Sequence, residues 1–580
     1  MNPFDLNHVK LTKYIFFTGK GGVGKTSTAC ATAVTLADLG KKILLISTDP
    51  ASNLQDVFNT EIGNQVIEVP TLPTLYIANL DPIEAAAQYR EKVVGPYRGK
   101  LPDAVISNME EQLSGSCTVE IAAFNEFTAF LADKDAQQAY DHIIFDTAPT
   151  GHTLRMLQLP TAWDTFIQES THGNSCLGQL SGLEDQKDNY KIAVANLADA
   201  SLTTMIFVAR PEMPTLIEAA RASKELREIG IENQQLIING VLLEHDDDVS
   251  EQLFNKQQLI LKSIPAELIN IATYIIPLRS YNIVGIGNVR NFLVKDDIES
   301  DGITKNEVNH PTLKNIVDDL IETNKRIVFT MGKGGVGKSS IATSVALGLA
   351  SKGVRVHLAS TDPAGKSGAQ HFNVANLEVS FIDEKAELEQ YQNEVLSKAK
   401  ETMDEEQIAY VEEDLRSPCT EEIAVFKAFA RIVEKSYDQV VIIDTAPTGH
   451  TLLLLDSTMS YHKEIQRTQN EVPDSVKNLL PLLRDKNTTE VIIVALAQTT
   501  PVFEAKRLQE DLQRAQISVG WWVINNSVVR TKTSNKLLLA KASSEVEWID
   551  KINKHTKGKF AIVEFCAENI TQKQLLEWAK

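Results

Sequence analysis

The chain has 580 residues, enough for at least two domains with cores of their own, and its 43% hydrophobic and 23% charged residues exclude a disordered or fibrous class. A net charge of −20 argues against a duplex nucleic-acid surface, which needs clustered Lys and Arg, so no nucleic-acid partner is expected. The amino terminus lacks the apolar core of a secretory signal and no later run approaches a membrane span; five scattered cysteines without a CxxC pair fit a reducing compartment, so the chain reads as cytoplasmic.

In chain order, short β-branched runs alternate with helical patterns. The first half has them at residues 14–18, 42–47, 142–146, 204–209 and 236–239. Residues 295–325 are rich in Asp, Glu, Asn and Lys, apolar only over 313–321, and read as a linker between halves at 1–294 and 326–580. The second half repeats the runs at 326–330, 355–360, 440–444, 491–495 and 522–525. Continuous apolar strands alternating with helices predict a parallel sheet covered on both faces. The expected fold class is α/β, two tandem doubly wound domains related by pseudo-twofold symmetry, with ligands at the carboxyl ends of the strands.

The halves also share their motifs, in the same order. Gly19-Lys-Gly-Gly-Val-Gly-Lys-Thr26 returns as Gly332-Lys-Gly-Gly-Val-Gly-Lys-Ser339, Ser47-Thr-Asp-Pro-Ala51 as Ser360-Thr-Asp-Pro-Ala364, and Asp146-Thr-Ala-Pro-Thr-Gly-His152 as Asp444-Thr-Ala-Pro-Thr-Gly-His450. The first pair follows a strand and opens a helix, the context of a P-loop, so each half is an NTPase domain. The backbone of Gly19, Gly21, Gly22, Val23, Gly24, Lys25, Thr26 and Ser27 should close around phosphate oxygens, as should that of Gly332, Gly334, Gly335, Val336, Gly337, Lys338, Ser339 and Ser340. Lys25 and Lys338 reach the outer phosphates, while Thr26 and Ser339 ligate magnesium.

Asp49 and Asp362, just past the second strand, are placed to orient or deprotonate the attacking water. Asp146 and Asp444 end a buried strand, the place of a Walker B carboxylate that holds magnesium through its water shell. A lone Asp is also common as a cap or turn residue, but here each recurs in both halves. Asn239 and Asn525, at later strand ends, are candidates for adenine contacts.

Lys20 and Lys333 give both loops the form Gly-Lys-Gly-Gly-Val-Gly-Lys, which resembles the deviant Walker A group of P-loop ATPases. That resemblance implies that each lysine crosses an interface to the phosphate of the opposite site, much as an arginine finger does. The run Asp-Thr-Ala-Pro-Thr-Gly-His-Thr, joined to the tandem repeat, resembles the catalytic subunit of arsenite-transporting ATPases over nearly the whole chain. It implies ATP and Mg²⁺ as cofactors and As(III) or Sb(III) as both allosteric ligand and transported substrate at the interface of the halves. It further implies an arsenite carrier in the inner membrane as partner, an arsenic metallochaperone, and peripheral membrane association only through the carrier.

Cys30, in the small-residue helix after the first loop, and Cys566, in a late strand, read as small buried hydrophobes. Cys117 and Cys419 are equivalent in the repeat and open a helix, where the dipole favours a thiolate. Cys176, in a Gly-containing loop, has no counterpart. Trivalent metalloids are soft and suit three thiolates. The resemblance matches its metalloid site to Cys117, Cys176 and Cys419, with His152, Ser417 and His450 as further contacts; either histidine equally suits a capped or core imidazole. A rival reading is an ATP-dependent targeting factor or chaperone for tail-anchored membrane proteins. Relatives of that kind pair through a CxxC zinc site and carry a methionine-rich groove; this chain has no CxxC and 8 Met.

Overall fold

The computed structural model describes residues 1–48, 54–58, 60–113, 116–147, 187–294, 310–360, 374–402, 404, 407–408, 411–412, 415, 418–445, 479, 481–568 and 570–580. They fall into two compact units, Met1–Glu299 and Ser300–Lys580.

The described strands of the first unit are β1 (Asn2–Pro3), β2 (Tyr14–Thr18), β3 (Ile43–Ser47), β4 (Ile67–Val69), β5 (Leu72–Asn79), β6 (His142–Asp146), β7 (Thr203–Ala209), β8 (Gln234–Val241) and β9 (Ala272–Pro277). They form one sheet in the order β1-β9-β8-β7-β2-β6-β3-β5-β4, parallel throughout except where β4 runs against β5. The central strand β2 is buried on both sides: Tyr14 and Phe16 join one core, Ile15 and Phe17 the other. This is why its sequence is apolar without alternation. Phe16 stacks on Phe145 of β6 with centroids 4.5 Å apart, and the helix Met213–Glu228 closes that face with Leu216, Ala219 and Leu226. The helix Lys25–Asp38 closes the other. Its buried Ala29, Ala33 and Ala37 let it lie close to the sheet, which holds the loop before it against the strand ends.

The second unit has β10 (Ile327–Met331), β11 (Val356–Ser360), β12 (Leu377–Phe381), β13 (Val440–Asp444), β14 (Thr489–Ala495), β15 (Trp521–Ser527) and β16 (Phe560–Glu564). Their order is β12-β11-β13-β10-β14-β15-β16, all parallel. Ile327 and Phe329 of β10 face one core and Val328 the other, with the helices Thr499–Arg514 and Lys338–Ser351 as covers. Both units are therefore α/β, with the parallel sheet between helical layers.

Two placements differ from the sequence reading. β16 ends at Glu564, so Cys566 follows the strand rather than lying in it, and its Sγ accepts a hydrogen bond from Gln574 Nε2 at 3.4 Å. The helix Leu313–Glu322, assigned by sequence to the linker, inserts Leu313, Ile316, Val317 and Leu320 into the core of the second unit. Thr312 and Asn315 cap it reciprocally. Among the described residues no helix is long and apolar enough to cross a membrane.

Candidate functional site

β2 and β10 are central in their sheets, and each delivers its loop to the carboxyl edge, where both neighbouring strands also end. The helices that follow begin at Lys25 and Lys338, with Gly24 and Gly337 as N-caps at φ 89° and 91°. A Cβ at either glycine would strike the side-chain amide of Asn239 or Asn525, so backbone conformation and space both demand glycine. Gly22 and Gly335, at φ 81° and 82°, complete the left-handed kinks that turn successive N–H groups into one anion-binding concavity at a helix N-terminus. Lys25 and Lys338 are buried; Lys338 Nζ donates to Lys333 O at 3.1 Å, folded over its own loop.

Asn239 ends the regular part of β8, and Asn525 follows the last regular pairing of β15, at Ile524. Their Nδ2 atoms donate to Val23 O and Val336 O, each at 2.8 Å. Each asparagine, a candidate for adenine contact by its place at a strand end, thus also braces its own loop. The bond spans 216 residues of chain in the first unit and 189 in the second, and no local sequence signal marks it. On the other side of the central strand, Asp146 and Asp444 are almost fully buried at the ends of β6 and β13. Thr147 Oγ1 donates to Phe17 O at 2.8 Å and Thr445 Oγ1 to Thr330 O at 2.9 Å, so each Asp-Thr pair is fastened to the strand that carries the loop. Ser360 Oγ donates to Asp444 Oδ2 at 3.1 Å. Burial, with the charge of Asp146 adding to it, pushes the Cys30 thiol well up, which makes it an inert core residue.

The donor set suits magnesium. The hydroxyls of Thr26 and Ser339 and the carboxylates of Asp146 and Asp444 are hard oxygen donors beside an anion-binding loop, with no soft ligand among them. They would hold a hydrated cation whose charge offsets that of a triphosphate.

The additional lysines are treated differently in the two units. Lys333 makes an ion pair with Glu504, a buried carboxylate on the helix Thr499–Arg514 of the same unit. The equivalent carboxylate of the first unit, Glu218 on Met213–Glu228, accepts a hydrogen bond from Arg221 at 2.7 Å. Lys20 lies on the loop surface, half-buried.

Of the remaining expected site residues, Asp49, Asp362, His152, Cys176, Ser417 and His450 lie outside the described residues. Cys117 and Cys419 are each the second residue of a helix, Ser116–Ala132 and Pro418–Glu434, as their place in the repeat predicts; the description does not extend to their side chains.

The sequence matches the family described as anion-transporting ATPase over residues 12–295, 325–479 and 457–577. It is 44% identical over 565 residues to the arsenical pump-driving ATPase of Escherichia coli, covering 96% of this chain and 97% of that protein. The arsenical pump-driving ATPase of Acidiphilium multivorum is likewise 44% identical, over 561 residues and 96% of each chain. The ATPase GET3 of Komagataella phaffii is 34% identical over 267 residues, which is 42% of this chain and 76% of that protein.

Proposed function

The chain belongs to the anion-transporting ATPase family and hydrolyses ATP, and on that premise we propose that it is a metalloid-stimulated ATPase that energises the extrusion of arsenite or antimonite through a membrane carrier. What carries the reading is the similarity to the E. coli arsenical pump-driving ATPase, which extends over 96% of this chain and 97% of that protein. In this reading Lys25 and Lys338 neutralise phosphate charge, Thr26 and Asp146 hold Mg²⁺ in one site, and Ser339 and Asp444 hold it in the other. Asp49 and Asp362 orient the attacking water. The magnesium ion, when bound, supplies electrostatic stabilisation of the charge developing on the transferred phosphoryl group.

As(III) or Sb(III) is held by Cys117, Cys176 and Cys419, with His152, Ser417 and His450 beside them, at the interface of the halves. Each Asp-Thr-Ala-Pro-Thr-Gly-His run joins a Walker B aspartate to a metalloid-side histidine, so one segment can relate phosphate state to metalloid state. Metalloid would draw the halves together and deliver Lys20 and Lys333 in trans; in the second half this requires Lys333 to exchange Glu504 for phosphate. The membrane carrier, and a metallochaperone that supplies the thiol site, are the partners, with the chain cytoplasmic and peripheral to the inner membrane when bound to its carrier. The similarity to ATPase GET3 reaches less than half of the chain, which leaves the targeting-factor reading with weaker support.

The test is ATP turnover with and without antimonite. Cys117→Ser, Cys176→Ser and Cys419→Ser should each lose most of the stimulation while keeping basal hydrolysis; Cys30→Ser and Cys566→Ser should keep both. Equal loss in the two groups would sink the metalloid site, and absence of any antimonite response in the unaltered chain would sink the proposed function.

A further inference from the structure

One charged side chain reaches the carboxyl edge of the first sheet at a place where the second sheet has a leucine. Arg210 follows directly on β7. Its backbone is fixed from both sides by Thr215, whose hydroxyl donates to Arg210 O at 2.9 Å and lies 3.1 Å from Arg210 N. From that anchor the side chain runs across to the end of β8: a Cβ built on Gly240 would stand 3.2 Å from Arg210 Nη2 and 3.4 Å from Cζ. Nε lies 3.5 Å from Glu212 Oε1, and 34% of the side chain remains in solvent.

Gly240 is next to Asn239, whose amide grips the P-loop at Val23 O. The guanidinium therefore occupies the rim that runs from the loop toward β8, two strands from β2 in the sheet order. At ~4.8 Å per strand that is about 10 Å sideways from the P-loop strand, the distance from the outer phosphates of a nucleotide to its base. In the second unit Leu496 follows β14, and Asn526, at φ 58°, holds the position of Gly240. Gly240, at φ 87°, is thus both a left-handed position and the one that leaves room for the arginine.

We propose that Arg210 is a base-binding residue of the first ATP site, laying the plane of its guanidinium against the purine ring, and that the second site lacks this contact. The inference rests on the reading of Gly19–Ser27 as a nucleotide site and adds a specificity element to it. Glu212 beside Nε offsets part of the positive charge and Gly240 supports one edge, an arrangement suited to stacking rather than to gripping phosphate. A guanidinium stacks on an aromatic face, whereas an ammonium of the same charge lacks the plane to do so. The two sites should then differ in how much of their affinity comes from the base.

The experiment uses the full chain with Lys338→Met to silence the second site, and calorimetric titration with MgATP and with magnesium tripolyphosphate, which has no base. Arg210→Leu should weaken MgATP binding about 5- to 10-fold, within the range of a partly desolvated cation–π contact, and leave tripolyphosphate within about 2-fold. Arg210→Lys should behave like Arg210→Leu, because charge alone is retained. The converse pair, Leu496→Arg with Asn526→Gly in a Lys25→Met chain, should tighten MgATP at the second site and not tripolyphosphate. Equal weakening of both ligands by Arg210→Leu, unchanged MgATP affinity, or full rescue by lysine would each overturn the proposal. A Lys25→Met, Lys338→Met chain that still binds MgATP normally would instead overturn the site on which it rests.

Discussion

At equivalent positions the two units use different groups to hold the same frame. Before the central strand, Thr12 Oγ1 and Thr204 Oγ1 share a buried hydrogen bond of 2.7 Å in the first unit; the second places Lys325 and Glu490 there, 3.7 Å apart and both largely buried. Behind the turn after the asparagine strand, Gln257 Oε1 accepts from Leu242 N at 2.8 Å and its Nε2 donates to Gly240 O at 3.1 Å. In the second unit Glu545 does this work, accepting from Ser527 Oγ at 2.8 Å and Val528 N at 2.9 Å. The first unit is closed by neutral hydrogen bonds and the second by buried charge. A buried charge is costly unless its partner stays in place, so the second unit should be more sensitive to pH and to loss of a single partner.

The largest effect expected is one that should not differ between the units. Lys25→Met and Lys338→Met should each lower stimulated ATP turnover by about 10²-fold or more, since each removes the cation from a phosphate cradle. Full turnover in one of them would show that the sites are unequal in catalysis as well as in packing.

Next comes the ion pair. Lys325→Met would leave Glu490 buried without its ammonium and should lower the unfolding free energy by about 3 kcal/mol. Thr12→Val, which removes the neutral hydrogen bonds of one hydroxyl to Tyr14 O and Thr204 Oγ1, should cost less, about 1–2 kcal/mol. Equal costs in urea unfolding would erase the proposed contrast.

Glu545 supplies a pH signature. Burial raises its carboxyl above the ordinary 4.5, against the opposing influence of Lys541 and its own hydrogen bonds. The folded state thus holds a proton that the unfolded chain releases near that value. Its contribution to stability is fully present below pH 4.5 and is lost as pH rises through the folded value. Glu545→Gln, which copies Gln257, should gain on the unaltered chain as pH rises from 4.5 toward neutrality, by on the order of 1 kcal/mol, and the gap should close in acid. A pH-independent difference in thermal midpoint would contradict this.

The smallest effect concerns Lys333. If it must leave Glu504 to act in trans, Glu504→Gln should raise basal turnover a few-fold, roughly the worth of a partly buried ion pair, while Glu218→Gln leaves it unchanged. A rise in both, or a fall in the first, would show that the pair is not a restraint.

What could be read from sequence follows the burial of the strands. β2, β6 and β13 match the expected limits because strands covered on both faces must be apolar at every position. No continuous apolar run marks β5, β9 or β12: β5 mixes buried with part-exposed positions and contains Pro73, while β9 and β12 are mostly part-buried and β9 ends on Pro277. β1 is two exposed residues that are a strand only because β9 is there to pair with. The helix Leu313–Glu322 was visible as a helix, but its membership of the second core depends on β16 and the helix Lys338–Ser351, which lie far along the chain.

The sequence by itself determined the two P-loops, the tandem repeat and the carboxylates at the strand ends, because a phosphate cradle is built from eight consecutive residues and a strand end is a local event. Tertiary structure alone decided that Asn239 grips Val23 across 216 residues, that Lys333 rests on Glu504 across 171, and that Arg210 lies over Gly240. Each joins the ends of elements that are neighbours in a sheet or packed on it and distant in the chain. In a doubly wound sheet the order of strands in space is not their order in sequence, so the partners of a site residue are set by the topology.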